Sequence, residues 1–429
     1  MRIRVLLVAI FLVGLGLRLH HLDRFPERNR TADEYAWTWA GMTLWSEGTP
    51  RAWSWLPGYP PTTPVVKWRG SDYRIVRPWL DHPPLYPLYV GAFMHAAGVH
   101  DPFAVELETM RLSTMLLFAA AFFLFYAVAR RYADEAQVLV ALGFYTAAPS
   151  AVWNGRLVMA EQLMLPLALA GWWALLRFVE TRRRRWIVLV AVATALLPLT
   201  KAAALAFALF LFTVAVLRKE RALAAAVCLG GLVGLAVYAA YGAHYGWPLF
   251  RTLLRMQASR FTNFGGFYAL VFTPRVVNQS FMYLPFLLGF FTLLADLRDG
   301  RAGDVGLFAA VYAAGIAFFL PWNEYGWYLI PLYPAMAFGL ASFVVRAWRD
   351  AAAGAAWSWL LFSVTYLSWI ACDRALATPA VWRWIYLALL VALPLATVAT
   401  ARSPRRWRAG FGVLVAAQWL GDVWYALGK

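Results

Sequence analysis

Apolar runs alternate along the whole chain with short polar or basic segments. Most runs are long enough to cross a hydrocarbon layer of about 30 Å, and they are continuous rather than alternating, so they predict helical spans and not a β-barrel. The pattern places spans near residues 5–20, 107–129, 136–152, 160–178, 186–200, 202–217, 222–243, 278–295, 305–320, 327–345, 353–371, 382–400 and 409–427. One polar stretch interrupts this rhythm. Thr31 to Leu85 opens on T-A-D-E-Y-A-W, passes through a Trp/Pro-rich middle and closes on R-P-W-L-D-H-P-P-L-Y-P. The expected fold is an all-α polytopic membrane protein of about thirteen transmembrane helices, with juxtamembrane helices in a large first outer loop.

The next apolar run, Leu85 to Val99, decides the orientation of everything after it. It is short, proline-punctuated and contains His95. If it spanned, Arg130-Arg131, Arg182 to Arg185 and Arg218-Lys219-Arg221 would all lie outside. If it lies along the outer surface, these clusters fall inside, together with Asp299-Gly300-Arg301, Arg346 to Asp350 and Arg402 to Arg408. The positive-inside rule selects the second arrangement, N-terminus in and C-terminus out. The chain then reads as a single membrane domain. A catalytic-type module covers 1–345, with outer loop 21–104, and C-terminal transmembrane helices cover 346–429. No internal repeat of the kind that marks many transporters stands out.

Composition agrees. The chain is 62% hydrophobic and 14% charged, well below the roughly one-quarter charged share of soluble domains. Its net charge of +17 would suit nucleic acid, but the arginines sit between apolar segments, where they face anionic headgroups. Membrane lipid is therefore an expected partner and nucleic acid is not. Cys228 and Cys372 lie in apolar context and imply neither a disulfide framework nor a thiolate metal site. Met1 to Leu19 is expected to stay as a first helix, because Arg18, His20 and His21 stand where a small-residue cleavage site would be. High Ala, Arg and Trp content points to a GC-rich bacterial genome. The expected location is the cytoplasmic (inner) membrane, with the site facing the periplasm or cell exterior.

With this topology the outer face collects the ionisable groups that can carry chemistry. Asp33 and Glu34 follow Thr31; they are either a catalytic or acceptor-contacting acid pair or first-turn charges at a helix start. Asp81 and His82 head a turn stiffened by Pro83 and Pro84, and the pair is also a candidate for a divalent metal. Arg111, Arg156, Glu161 and Lys201 lie near outer ends of spans, where a charge is costly unless paired, solvated or snorkelling. Arg156 and Glu161 can also simply pair with one another. His244 and Arg260 belong to a basic amphipathic segment suited to headgroups or to substrate. Glu324, Tyr325 and Tyr328 belong to a further outer segment, P-W-N-E-Y-G-W-Y. P-loop, G-x-S-x-G, H-E-x-x-H and dinucleotide glycine signatures are missing from the sequence.

Six pieces in order, TADEYAWTWA, DHPPLYPLYVGAF, MRLSTMLLF, GRLVMAEQLMLPL, PLTKAAALAF and GWYLIPLYPAMAF, resemble the GT-C superfamily over residues 1 to about 345. The resemblance is to its protein O-mannosyltransferases and lipid A aminoarabinose transferases (ArnT-like). It implies transfer of a hexose or pentose from a polyprenyl-phosphate donor to a lipid, glycan or protein acceptor on the outer membrane face. By that resemblance Asp33 is the catalytic or acceptor-contacting acid, Asp81 a metal or acceptor contact, and Glu161 the second outer acid. Arg111 and Lys201 become donor-phosphate contacts, a role extended to Arg156. Departures from the pattern are His82 for the commoner lysine, Glu161 for the commoner aspartate, and Gln257 where a metal ligand stands in the aminoarabinose transferases. Some members carry a soluble C-terminal domain without counterpart here, so acceptor recognition is expected from the membrane loops. Competing readings are a transporter or flippase of a lipid-linked saccharide and a surface-polysaccharide polymerase or ligase.

Overall fold

The computed structural model describes residues 2–27, 32–259, 283–298, 303–319, 326–351, 355–376, 378–401 and 403–428. Helices dominate the apolar runs, although the expected 136–152 span is broken at Ala148-Pro149 into two helices. The first, α1 (Arg2–Leu19), leads into the outer loop, and α4 (Leu107–Ala129) follows it. Short links then join α5 (Glu135–Ala147), α6 (Pro149–Asn154), α7 (Glu161–Thr181), α8 (Arg185–Leu196), α9 (Leu205–Leu217) and α10 (Arg221–Ser259). Beyond these lie α11 (Leu284–Arg298), α12 (Gly303–Phe319), a 3₁₀ segment (Gly326–Leu332) and α13 (Tyr333–Asp350). The chain closes with α14 (Ala355–Trp359) and α15 (Thr365–Asp373), joined by a π turn, then α16 (Pro379–Ala401) and α17 (Pro404–Leu427).

Among the described residues, five helices are long and apolar enough to cross a membrane by length and composition, and three shorter apolar ones accompany them. Their outward-facing residues are large and apolar. Leu116 in α4, Leu209 and Leu217 in α9, and Leu229 and Leu232 in α10 are each more than half exposed. Such a continuous apolar exterior needs a hydrocarbon solvent.

Local chemistry explains the helix ends. α7 stops at Arg182, which adopts a left-handed conformation just before the run Arg183-Arg184-Arg185. α10 breaks at Gly246, whose φ of 129° is open to glycine, with Pro248 two residues on. The chain turns so sharply there that a Cβ on Gly242 would lie 2.3 Å from the Phe250 ring. This separates the apolar stretch from the basic amphipathic one, as the sequence pattern predicts.

The outer loop is a packed subassembly built on two helices, α2 (Asp33–Glu47) and α3 (Leu85–Ala96). The 12 residues of α3 rise only about 18 Å, and the helix packs on α2. The two helices cross backbone to backbone. A Cβ on Gly41 would sit 1.9 Å from the Pro87 carbonyl oxygen, and one on Gly91 would sit 2.3 Å from the Gly41 carbonyl carbon.

One expectation is corrected here: the chain is not purely helical. The Trp/Pro-rich middle forms a three-stranded antiparallel sheet, order β1 (Ala52–Trp53), β3 (Ser71–Val76), β2 (Val65–Trp68). Strands β2 and β3 are joined by Arg69-Gly70, both with positive φ (49° and 82°), the two-residue hairpin geometry that matches strand twist. Trp68 and Tyr73 of this sheet pack edge-on against Trp39 of α2.

Candidate active site

Four segments meet at one end of the helices. The Leu85 N–H donates to the Leu199 carbonyl at 2.9 Å, tying the D-H-P-P turn to the 197–201 loop. The Val158 N–H donates to Glu34 Oε1 at 3.0 Å, tying the start of α2 to the loop before α7.

Glu34 is fully buried and forms a two-pronged ion pair with fully buried Arg111: Nε to Oε1 at 3.0 Å and Nη2 to Oε2 at 2.8 Å. Arg111 also donates to the carbonyls of Leu22 (2.9 Å) and Pro26 (2.7 Å). Its guanidinium thus clamps three chain segments together. Arg156 behaves alike, donating to Leu17, Arg18 and Phe25 carbonyls at 2.8, 3.2 and 2.8 Å. Burial, with Arg111 and Arg18 nearby, lowers Arg156 to about 9, which leaves it cationic at neutral pH. The alternative pairing of Arg156 with Glu161 is not what forms. A guanidinium ringed by backbone carbonyls at a helix end is satisfied without a carboxylate.

Glu161 instead accepts from Lys201 Nζ at 2.6 Å, and Lys201 lies over the Tyr328 ring, 4.0 Å from its centroid. The second carboxylate oxygen of Glu161 is buried with no hydrogen-bond partner among the described residues. The same holds for the hydroxyl of Tyr86, which the sequence reading passed over although it lies inside the D-H-P-P-L-Y-P motif. Burial, then Tyr89, Glu34 and Glu161, pushes that hydroxyl well above the usual phenol range, so it stays a proton donor. The charges of Glu34 and Glu161 both act on the Tyr86 hydroxyl, without a hydrogen bond to it.

Asp81 is buried, accepting from Ser54 Oγ at 2.6 Å and Tyr59 OH at 2.7 Å. Burial and the Asp81 charge raise the Tyr59 phenol far above its ordinary value, so this bond is formed by a neutral hydroxyl. His82 is half-buried and stacks on Trp37, with ring centroids 4.5 Å apart. Gln257 donates to the Asp81 carbonyl oxygen at 3.2 Å. Among the described residues no group of three His, Cys, Asp or Glu converges on one point.

Asp33 is half-buried in the first turn of α2. The residue before it, Ala32, has helical dihedrals and no side-chain cap bond, so neither acid is the N-cap. His244 is exposed beside Tyr245, whose hydroxyl holds α10 to the Gly48 carbonyl at 2.6 Å. Arg260, Glu324 and Tyr325 lie outside the described residues.

The sequence reading also missed Arg18, a fully buried guanidinium in α1 that donates to the Gly14, Tyr145, Thr146 and Ala151 carbonyls. The signal was there: an arginine inside an apolar run has to find partners.

Residues 81–244 match the family model described as dolichyl-phosphate-mannose-protein mannosyltransferase. The structure resembles that of ArnT from Cupriavidus metallidurans bound to undecaprenyl phosphate: TM-score 0.59, 17% identity, 99% of this chain and 76% of that one. The apo state of the same protein gives a TM-score of 0.56 at 18% identity, with the same coverage. The archaeal oligosaccharyltransferase AglB from Archaeoglobus fulgidus, in complex with an inhibitory peptide and a dolichol-phosphate, gives 0.51 at 12% identity, over 98% of this chain and 56% of that one. A search of curated proteins gives no match. The chain has an ArnT-like fold, and the residues that match the family model lie within it.

Proposed function

We propose that this protein is a membrane glycosyltransferase that moves a sugar from a polyprenyl-phosphate donor to a lipid, glycan or protein acceptor at the outer face of a bacterial cytoplasmic membrane. One observation carries the reading. Buried Glu161 pairs with Lys201, which lies over the Tyr328 ring; its second carboxylate oxygen is unpaired among the described residues, as is the buried Tyr86 hydroxyl. A buried polar cluster with one carboxylate oxygen and one hydroxyl left unpaired among the described residues suits a polyhydroxylated substrate. The solved relatives bind undecaprenyl phosphate or dolichol-phosphate, and the donor class is taken from them.

In this reading the bond between C1 of the sugar and the phosphate oxygen breaks, and the phosphate leaves with the electron pair. The acceptor oxygen forms the new bond with inversion, and Asp33 takes its proton. His82, held by Trp37 on a stiff turn, and Lys201 face the leaving phosphate. The free oxygen of Glu161 accepts from a sugar or acceptor hydroxyl. Asp81 fixes the turn through Ser54 and Tyr59. Arg111, Arg156 and Glu34 are positioning residues, because their polar atoms are spent on one another and on backbone groups. No step is routed through a metal. We further propose the thirteen-span topology, with 1–345 holding the site and 346–429 flanking it.

The test uses purified protein, a panel of radiolabelled polyprenyl-phosphate sugars, and membrane extract as acceptor source. Turnover of one donor supports the proposal and names the sugar. Vectorial movement of an intact lipid-linked saccharide with no glycosidic transfer would favour the flippase.

A further inference from the structure

Far from this site, a groove of about 730 Å³ opens between α5, α13 and α17. Val140, Phe144, Val344, Val415 and Trp419 give it apolar walls, while Arg349 and Arg408 stand among its lining residues. The start of α5, the end of α13 and the start of α17 meet there. In the proposed orientation these ends lie at the cytoplasmic surface.

The two arginines are fixed at this end rather than trailing in solvent. Arg349 is ion-paired to Asp134. Arg408 donates from Nε to the Trp348 carbonyl at 3.0 Å and from Nη2 to the Arg349 carbonyl at 2.9 Å. Its Nη1 protons have no acceptor among the described residues. Arg405 and Arg406 lie exposed in the same first turn of α17.

We infer that this groove is a binding site for one anionic phospholipid of the cytoplasmic leaflet. An acyl chain lies along the apolar walls and the headgroup phosphate meets Arg408 and its neighbours. The volume falls within the roughly 300–1,000 Å³ range of built ligand sites, and basic pockets between membrane helices on the cytoplasmic side take anionic headgroups. A soluble anion would leave the apolar walls uncovered, and a lipid without net charge would leave the excess charge of Arg408, Arg405 and Arg406 unneutralised, Arg349 being paired to Asp134 already. The lipid would join α17 to α5 and α13, beside the direct links from Trp419 Nε1 to the Gly143 carbonyl (3.1 Å) and Trp407 Nε1 to the Ala347 carbonyl (3.2 Å). The inference rests on the proposed orientation, not on the glycosyl-transfer reading.

The experiment uses the full chain in phosphatidylcholine vesicles carrying a trace of phosphatidylglycerol or phosphatidylcholine with a photoactivatable group on one acyl chain. Phosphatidylglycerol is expected to label peptides of α5 and α17 in preference to phosphatidylcholine. Arg408→Gln should lower that preference about fivefold, the loss of one near-surface cation. Ala416→Phe, which fills the groove from its exposed side, should remove labelling by both lipids. Equal labelling by the two lipids, or a preference that survives Arg408→Gln, overturns the inference, whether or not Ala416→Phe folds. Competition by polyprenyl phosphate at the phosphatidylglycerol concentration would also overturn it, by making the occupant the carrier. Sugar transfer by Arg408→Gln, assayed in phosphatidylcholine alone, should match wild type, so a failed transferase reading is seen separately.

Discussion

Arg111 separates two accounts of the outer site. As a donor-phosphate ligand it would be needed for donor affinity and little else; as a clamp it would be needed for the fold. Arg111→Gln removes both prongs of a fully buried ion pair, leaving Glu34 with the Val158 N–H, and frees the Leu22 and Pro26 carbonyls. Removing one member of a buried pair costs about 3–5 kcal/mol, because the remaining charge stays desolvated. Reversible unfolding in mixed micelles should show a loss of that order. Glu34→Gln should lose a comparable amount, and the double variant less than the sum, since the second change removes the orphaned charge. Donor affinity of the folded fraction should change by less than about threefold, under 1 kcal/mol. A variant of wild-type stability with donor affinity reduced tenfold or more would refute the clamp and restore Arg111 to the phosphate.

Three further outcomes follow from the same geometry. Lys201→Met strands the buried Glu161 charge and should lose both stability and transfer; adding Glu161→Gln should recover most stability, by unfolding in micelles, but no transfer. Tyr86→Phe deletes one unsatisfied hydroxyl without changing shape, so thermal stability should hold while kcat/KM falls about tenfold, the worth of one hydrogen bond to substrate. The Tyr59 phenol is raised in the folded state, so its stabilising bond to Asp81 is complete below the unfolded value near pH 10 and lost only as pH rises through the higher folded value. Phenolate absorbance should accordingly show Tyr59 silent to pH 10, by difference from Tyr59→Phe, and a Tyr59 signal near pH 10 in folded protein would contradict that bond.

What could be read from residues alone was what lies within one element. The run Leu107–Ala129 is bounded by charge on both sides, and the helix matches the expected span at both ends. The α3 stretch was placed on the surface by counting arginines far from it, a global argument; what the structure adds is its close packing on α2. The β2–β3 hairpin was missed because proline and tryptophan hide a short alternation, and Arg-Gly is a weaker turn signal than Asn-Gly. Pairings across the chain were not legible. Arg111 and Glu34 are 77 residues apart, and Lys201 and Glu161 are 40 apart. Spacing placed these charges at outer helix ends, but it could not say which cation clamps loops and which faces a substrate. That depends on packing between α2, α3 and the loops before α7 and α9.

The central claim is that the site to which Asp33 belongs transfers a sugar from a lipid phosphate. The most direct measurement is release of label from the polyprenyl-phosphate sugar panel by wild type and Asp33→Asn, with donor binding measured in parallel. The account predicts turnover of one donor by wild type, a fall of about 10²–10⁴-fold in Asp33→Asn, and unchanged donor binding. Equal turnover by wild type and Asp33→Asn would contradict it, as would the absence of turnover with every donor and acceptor source.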